Sequence, residues 1–349
     1  MTIAVHFSTS EDIYFHCFIT MARQQPETKF IFISSDIALL KQISFPNVKS
    51  FPVGGAFKNI IFKKYWIHRG VKAILEKEKP NFFFGKHDIS PLCSETNNII
   101  YFEEKNLYGK KKFIKSIQSV SAVLVPNEFV KTKLAESFPH SRPDFILLPS
   151  GAYAIPSLEN HAIENIKKKW ADNKEYFFLD SSDVNEQQII QALQSFSAFK
   201  KWQHSNFKLA LFCPKELLKN ISDKLSSYKY REDVFLLTDK ESKEIDSLIA
   251  ASYAVIFLNT RNNISNRMLY SYLINVPILI NENEYHQSYF QDAVLYYKEN
   301  TLSEKMILIY KNEMLRNELI VKLREKSKEL TWDKISYNLL RAINNKIEK

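Results

Sequence analysis

The stretch FLNTRNNISNRMLYSYLINVPILI, residues Phe257–Ile280, contains the local pattern that decides the fold. It begins in an apolar strand, continues through a polar loop into a helical segment, and turns tightly into a second apolar strand at Pro277–Ile280. Two buried strands joined by a helix indicate a parallel sheet. Ligands of such sheets bind beyond the carboxyl ends of the strands. The polar loop is therefore a candidate binding segment.

The same alternation of apolar runs and amphipathic helical patterns extends along both halves of the chain. Strands are predicted in the first half at Ile3–Phe7, Lys29–Ser34, Asn81–Phe84, Asn98–Phe102, Ala122–Val125 and Phe145–Leu148. In the second half they are predicted at Tyr176–Leu179, Lys208–Phe212, Val234–Leu237, Ala254–Leu258, Pro277–Ile280 and Val294–Tyr296. Helices are predicted between them, at Asp12–Arg23, Lys58–Lys77, Lys111–Val120, Glu186–Trp202, Lys215–Leu225, Lys243–Ala251 and Asn266–Leu273. Continuous apolar strands that alternate with helices predict α/β domains with parallel sheets covered on both faces.

A chain of 349 residues is too long for one ordinary core, so two domains are expected. The boundary is predicted just after Gly151, where the sequence is rich in turn residues. We predict an N-terminal domain over residues 1–153, a second domain over residues 154–330, and a final helix over residues 331–349 that packs back on the first domain. Thr331 is the expected N-cap of this helix. Two such sheets facing each other would enclose a ligand cleft.

Composition and charge narrow the classes of function. The formal net charge of +9 favours anionic partners, such as nucleotide diphosphates, lipid phosphates, an anionic membrane or nucleic acid. Only 6 glycines are present, which argues against a P-loop and against an intact dinucleotide fingerprint, because such loops use glycine for close approach to phosphate. The sequence contains no nucleic-acid recognition motif, so no nucleic-acid partner is expected.

Targeting and cysteine patterns favour a cytoplasmic protein. The N-terminus has neither the basic nor the apolar region of a signal peptide, and no apolar run is long enough to span a bilayer. Cys17, Cys93 and Cys213 match no metal or redox spacing, so buried structural thiols in a reduced compartment are expected. The histidines form no metal-ligand cluster, and neither a metal nor another cofactor is expected.

Several segments carry motifs in a consistent order along the chain. VPNEFVKTKLAESF at Val125–Phe138 has a strand, a turn and an xFxKxxL helix, and ILLPSGAY at Ile146–Tyr153 is like a VxxNG domain end. Two further motifs follow along the chain, namely KEYFFLDSSDVNEQQIIQALQSFSAFKK at Lys174–Lys201 and TWDK at Thr331–Lys334. Over nearly its whole length the sequence resembles the fourth family of retaining GT-B glycosyltransferases, which includes bacterial mannosyltransferase-like members.

This resemblance implies a GT-B architecture, with two doubly wound Rossmann-like parallel-sheet domains facing across a cleft. It also implies transfer of a sugar from a nucleotide-sugar donor to a glycan or polyprenyl-linked acceptor, in bacterial-type surface polysaccharide assembly. The alternative is a catalytically inactive glycosyltransferase-like binding or scaffold protein that supports a partner enzyme. Fold resemblance does not choose between the two, because function belongs to sites.

The positions at which the family carries its donor chemistry hold other residues in this chain. The glycine after the first strand of the second domain falls on Ser181, and the arginine–lysine pair that clamps the donor diphosphate falls on Glu186 and Gln187. The two glutamates of the family fall on Asn262 and Tyr270. Loss of two cations and gain of an anion beside a diphosphate are electrostatically unfavourable. The sequence therefore predicts a degenerate donor site.

Some chemistry suited to a diphosphate remains at the start of the helix that follows this loop. Ser265 can cap the helix, and Ser265 and Asn266 leave the helix N-terminus open to an anion. Arg267 is a candidate bidentate phosphate ligand, with Arg261 nearby. The alternative interpretation is that both arginines are solvated surface charges.

The first domain offers two catalytic candidates, Glu103 and His87. The family's His–Asp pair falls on Glu103 and Glu104, and the Gly-rich loop of the family is shortened to Ser8–Asp12. Paired carboxylates can act in acid–base chemistry, but adjacent residues of an extended segment point in opposite directions. A surface or helix-start role for the glutamates, and a loop hydrogen bond for His87, are the alternatives.

The segment KNIIFKKYWIHRGVK at Lys58–Lys72 is basic and aromatic at helical spacing. Interfacial helices combine lysine and arginine with aromatic residues, so this segment is a candidate for peripheral contact with the inner face of a membrane. The alternative is a helix whose aromatic face lies in the core and whose lysines face water.

Overall fold

The computed structural model describes residues 1–9, 12–54, 60–86, 95–102, 117, 119–137, 143–153, 155, 158–238 and 242–347. The chain forms two compact units. The first unit comprises Met1–Tyr153 and Leu330–Lys349, and the second unit comprises Ala154–Glu329. Several sequence predictions lie outside the described residues, namely those for His87, Cys93, Glu103, Glu104 and most of the helix Lys111–Val120.

The first unit is built on a seven-stranded parallel sheet with the order β3-β2-β1-β4-β5-β6-β7. Its strands are β1 Thr2–His6, β2 Lys29–Ser34, β3 Val48–Pro52, β4 Phe82–Lys86, β5 Asn97–Tyr101, β6 Ala122–Val125 and β7 Asp144–Leu147. Before the domain boundary, the helices of the described residues are α1 Ile13–Gln24, α2 Ile37–Lys41, α3 Ile60–Glu78 and α4 Glu128–Ser137. β3 is missing from the predicted strands because it is a largely exposed edge strand that ends in a proline.

The second unit is built on a six-stranded parallel sheet with the order β10-β9-β8-β11-β12-β13. Its strands are β8 Tyr176–Asp180, β9 Lys208–Phe212, β10 Val234–Leu237, β11 Ala254–Phe257, β12 Ile278–Asn281 and β13 Leu295–Tyr297. Its helices are α5 Asn160–Ala171, α6 Glu186–Gln203, α7 Lys215–Ser226, α8 Ser242–Ala250, α9 Asn266–Leu273, α10 Glu284–Phe290, α11 Leu302–Lys311 and α12 Glu313–Ser327. Both units contain a parallel sheet with crossover helices, so the predicted fold class is confirmed.

The last helix, α13 Trp332–Ile347, belongs to the first unit and packs against α1. Its backbone begins with a cap, because the Lys334 amide donates a hydrogen bond to Thr331 Oγ1 at 3.3 Å. Trp332, Ile335, Leu339 and Ile343 recur at helical spacing, and all four side chains are buried in the core of the first unit. The helix is therefore held by one continuous apolar face.

Candidate functional site

The carboxyl ends of β8 and β11 lie side by side in the second unit, where Asp180 pairs with Phe257. The strand order reverses at this point, since β8 is flanked by β9 on one side and by β11 on the other. Open α/β sheets bind their ligands at such switch points. Two loops meet here, one after β8 and one after β11. We give the name strand-end site to Asp180 at the end of β8, Ser182, Arg261 and Ser265 in the loops, and Arg267 in the first turn of α9.

The loop after β11 is organised by its own side chains. Asn259 is buried, accepts a hydrogen bond from the Arg261 amide at 2.7 Å, and donates one to Asn263 Oδ1 at 2.6 Å. Ser265 then caps α9, because its Oγ accepts a hydrogen bond from the Met268 amide at 3.2 Å. Helix α9 begins at Asn266, where the sequence predicts its start. The loop thus presents the N-terminus of α9 at the switch point.

Arg267 is held by the protein rather than extended into solvent. Its Nη1 donates a hydrogen bond to Ser182 Oγ at 2.6 Å and lies 3.4 Å from each carboxylate oxygen of Asp180. The guanidinium also stacks on Phe212, with its central carbon 3.7 Å from the ring centroid. The Arg267 side chain is 25% exposed. The guanidinium is therefore fixed in position at the edge of the site.

Sequence reasoning missed Asp180 and Ser182, and of the two Asp180 carries the charge. It is the last residue of β8, and its side chain is only 5% exposed. Besides Arg267, its carboxylate accepts hydrogen bonds from the Ser182 amide at 2.9 Å and from Ser182 Oγ. The signal in the sequence is the acidic residue that closes the apolar run YFFLD. A charge at the buried end of a strand needs a partner, and here that partner is Arg267.

Arg261 forms a second link between the same two loops. Its Nη1 lies 3.4 Å from Asp183 Oδ1, and the Arg261 side chain is 69% exposed. An exposed pair of this kind is screened by solvent and contributes little to stability. Both arginines predicted for phosphate binding therefore face carboxylates, Arg267 that of Asp180 at the end of β8 and Arg261 that of Asp183 in the following loop.

Two of the positions that the sequence resemblance aligns with donor residues, Ser181 and Glu186, make hydrogen bonds within the protein. Ser181 is fully buried and donates a hydrogen bond to the Phe212 carbonyl. Glu186 begins α6 and accepts a hydrogen bond from Asn220 Nδ2 on α7 at 2.8 Å. Gln187 is exposed and Asn262 half-buried. Burial raises the pKa of Tyr270 to about 12, so this residue is neutral where the family carries a glutamate.

A polar pocket of about 310 Å³ lies at the carboxyl ends of β11, β12 and β13. Side chains of α6 and of the following loops line it, among them Gln188, Gln191, Thr260, Glu282, Lys298 and Glu299. Near these loops His286 is fully buried and its Nδ1 donates a hydrogen bond to the Asn281 carbonyl at 3.0 Å. Burial lowers the pKa of His286 and keeps its ring neutral. This histidine supports the loops and does not face solvent.

Metal-binding chemistry is not apparent in the described part of the chain, where no group of three or more His, Cys, Asp or Glu side chains could hold an ion. Cys17 and Cys213 are free and buried. Burial raises the pKa of both thiols, so neither is a reactive thiolate.

No protein-family model matches the sequence, and no curated protein matches it. The structure, by contrast, is similar to solved structures along its whole length. A glycosyltransferase from Rickettsia africae ESF-5 has 12% identity and a TM-score of 0.71, over 98% of this chain and 97% of that chain. HepE from Anabaena, in complex with UDP-glucose, has 10% identity and a TM-score of 0.69, over 99% and 100% of the two chains. Sucrose-phosphate synthase from Thermosynechococcus elongatus has 9% identity and a TM-score of 0.71, over 100% and 99%.

The chain has the GT-B fold. The resemblance seen in the sequence motifs is thereby confirmed at the level of the fold. At these identities the likeness establishes the GT-B fold alone, so the chemistry must be argued from the residues of the strand-end site.

Proposed function

We propose that this protein is a divergent glycosyltransferase that transfers a sugar from a nucleotide-sugar donor to a glycan or polyprenyl-linked acceptor, in bacterial-type surface polysaccharide assembly. The observation that supports the proposal is an arginine stacked beside a capped helix N-terminus, at the switch point of a GT-B sheet. HepE, which has the same fold, is a protein that binds UDP-glucose. Neither metal nor other cofactor is part of the proposal.

The donor diphosphate would contact the N-terminus of α9 and Arg267. The first amides of a helix lack intrahelical partners and carry a partial positive charge, which favours an anion. Arg267 uses Nη1 for its internal partners, while its Nε and Nη2 make no hydrogen bond to the described residues. These two nitrogens remain available to a phosphate oxygen. The protein would act by holding the donor and stabilising the leaving diphosphate.

The second candidate is a catalytically inactive protein that supports a partner enzyme. The observation that favours it is the charge balance of the strand-end site, in which Asp180 faces Arg267 and Asp183 faces Arg261. The clamp positions Glu186 and Gln187 supply no cation to offset this. Measurement of sugar transfer separates the two candidates, because a glycosyltransferase catalyses transfer and an inactive supporting protein does not.

We expect Arg267→Ala to lower kcat/KM for sugar transfer by about tenfold or more, because one charge-assisted hydrogen bond to phosphate contributes about 1.5–3 kcal/mol. The assay measures transfer from radiolabelled nucleotide sugars to polyprenyl-phosphate-linked glycans. Arg316→Ala is the matched control. Arg316 is 21% exposed, pairs with Glu313 at 3.2 Å and stacks 4.3 Å above the ring of Tyr253. Tyr253 directly precedes β11, so Arg316 lies at the amino ends of the strands, opposite the carboxyl ends that carry the strand-end site.

Equal losses in the two arginine variants would show a general effect on stability or charge, and the donor role of Arg267 would be abandoned. Absence of transfer by the unaltered protein with every donor would favour the scaffold candidate instead.

A peripheral membrane contact through α3 is a further part of the proposal. Ile67, Val71 and Leu75 bury one face of this helix, while Tyr65 and Trp66 remain 57% and 43% exposed. Trp66 also lines an apolar groove of about 570 Å³ between α3 and β3, and the Arg69 guanidinium lies 5.9 Å from its ring. Exposed aromatic rings beside cations suit an anionic lipid interface. In the described residues, none of the helices is both long and apolar enough to cross a membrane.

Trp66→Ala is expected to weaken binding to phosphatidylglycerol-containing vesicles by about fivefold, since removal of a half-exposed ring forfeits roughly 1 kcal/mol of interfacial burial. Trp202→Ala is the control, because Trp202 is 44% exposed on the second unit and lies beside Lys311, 3.9 Å from its ring centroid. Vesicle sedimentation measures the affinity of both variants for the vesicles. If the two variants bind equally well, α3 is not the membrane contact.

A further inference from the structure

We infer that the buried carboxylate of Asp180 pairs with Arg267 and thereby lowers the affinity of the strand-end site for phosphate groups. The inference rests on the proposed function in one respect, namely that Arg267 is the phosphate ligand. Asp180 itself has no counterpart among the donor residues of the family motifs. Its role follows from its burial and its contacts.

The burial of Asp180 makes its partner indispensable. A carboxylate that is 5% exposed loses most of its hydration, and only a nearby cation and hydrogen-bond donors offset that loss. Ser182 supplies two hydrogen bonds, from its amide and its hydroxyl. Among the described residues Arg267 supplies the only ion pair to this carboxylate. The negative charge of Asp180 is therefore balanced by Arg267.

The position of Arg267 is fixed on three sides, by Asp180, Ser182 and the ring of Phe212. The guanidinium cannot swing towards a ligand without losing the stacking contact and leaving a buried carboxylate unpaired. A phosphate must therefore approach Arg267 where it stands, next to Asp180. Two like charges that share one cation disfavour each other. Asp180 thus acts as a competitor of the ligand phosphate.

This competition predicts the class of ligand that the site tolerates. A neutral sugar or another uncharged polar group experiences no repulsion from Asp180, whereas a diphosphate experiences the full repulsion. Removal of the negative charge at position 180 should therefore raise the affinity for phosphate-containing ligands. An ordinary substitution at a binding site lowers affinity, so a gain is a distinctive result.

The experiment is isothermal titration of UDP and of inorganic pyrophosphate against the full chain and its variants. We expect Asp180→Asn, which keeps the shape of the side chain, to raise both affinities by about tenfold. Asp180→Ser removes the same charge in a smaller side chain and should show the same direction of change. Arg267→Ala added to Asp180→Asn should abolish the gain.

Asp233→Asn is the matched control for a general effect of charge. Asp233 pairs with the buried Lys200 at 2.8 Å and is 22% exposed. It precedes β10 at the amino ends of the strands, away from the carboxyl ends that carry the strand-end site. It should leave both affinities unchanged. Equal gains from the Asp180 and Asp233 variants, or a loss of affinity in Asp180→Asn, would overturn the inference.

The inference and the proposed function fail in distinguishable ways. If Asp180→Asn leaves UDP affinity unchanged while Arg267→Ala still weakens binding, Asp180 does not compete and the donor contact stands. If Arg267→Ala leaves UDP affinity unchanged in both backgrounds, the donor contact is wrong, and the inference about Asp180 fails with it.

Discussion

Glu186→Arg combined with Gln187→Lys should raise the affinity of this protein for UDP by about a hundredfold. The sequence resemblance aligns these two positions with the cations that clamp the donor diphosphate in the family. Each charge-assisted hydrogen bond to phosphate contributes about 1.5–3 kcal/mol, and about 1.4 kcal/mol corresponds to a factor of ten. The substitutions also remove an anion from the first turn of α6. Helix α6 retains its capping box, formed by Asn185 and Gln188, so the helix should still begin at the same residue.

The matched control for this double variant is Glu313→Arg with Met314→Lys. Helix α12 also has an asparagine N-cap, Asn312, and a glutamate at its first position. The change in charge and the position within the helix are the same, but α12 is not part of the strand-end site. Isothermal titration with UDP measures both variants. Comparable gains would mean that added positive charge anywhere on the second unit attracts UDP, and the alignment of Glu186 and Gln187 with the clamp would be wrong.

Trp332→Ala is expected to destabilise the first unit by about 3–5 kcal/mol, the usual range for removal of a buried large aromatic side chain. Trp332 is 5% exposed and begins α13. It packs beside Gly151, where an added Cβ would lie 3.0 Å from both Trp332 Cε3 and the Leu330 carbonyl oxygen. This close packing leaves little room for neighbours to fill the cavity. The cost of the cavity therefore adds to the loss of apolar burial.

Native-state hydrogen exchange is the appropriate measurement, because it reports the two units separately. Amides of β1 and β4 should lose protection in Trp332→Ala, while amides of β8 and β9 should keep it. Trp202→Ala, at a 44% exposed tryptophan, should change protection by less than about 1 kcal/mol. Equal and small effects of the two substitutions would show that α13 does not stabilise the core of the first unit.

The sequence predicts most of the fold because apolar runs and helix caps are local signals. β8 is apolar up to its last residue, and α9 and α13 begin where Ser265 and Thr331 supply caps. The exposed edge strand β3 lacks an apolar run and was missed. β4 extends to Lys86, two residues beyond its predicted end, because Gly85 and Lys86 pair with β5.

The strand-end site was harder to predict from the sequence, because its main contact joins two residues that lie far apart along the chain. Asp180 and Arg267 are 87 positions apart, and only the pairing of β8 with β11 brings them together. The order of residues indicated that Arg267 begins a helix at a switch point. It did not indicate that a buried carboxylate and the ring of Phe212 hold the guanidinium. Burial and pairing of charges depend on tertiary structure, which a single sequence does not reveal.

Titration of the unaltered protein with a panel of nucleotide sugars, UDP-glucose among them, tests the central claim most directly. The claim is that a GT-B protein has kept the position of the donor site while its cations are replaced at Glu186 and Gln187 and opposed by Asp180. We expect dissociation constants in the millimolar range, which is about a hundredfold or more weaker than an intact clamp would give. Micromolar binding of any common nucleotide sugar would contradict the claim, because other residues would then supply the missing charge.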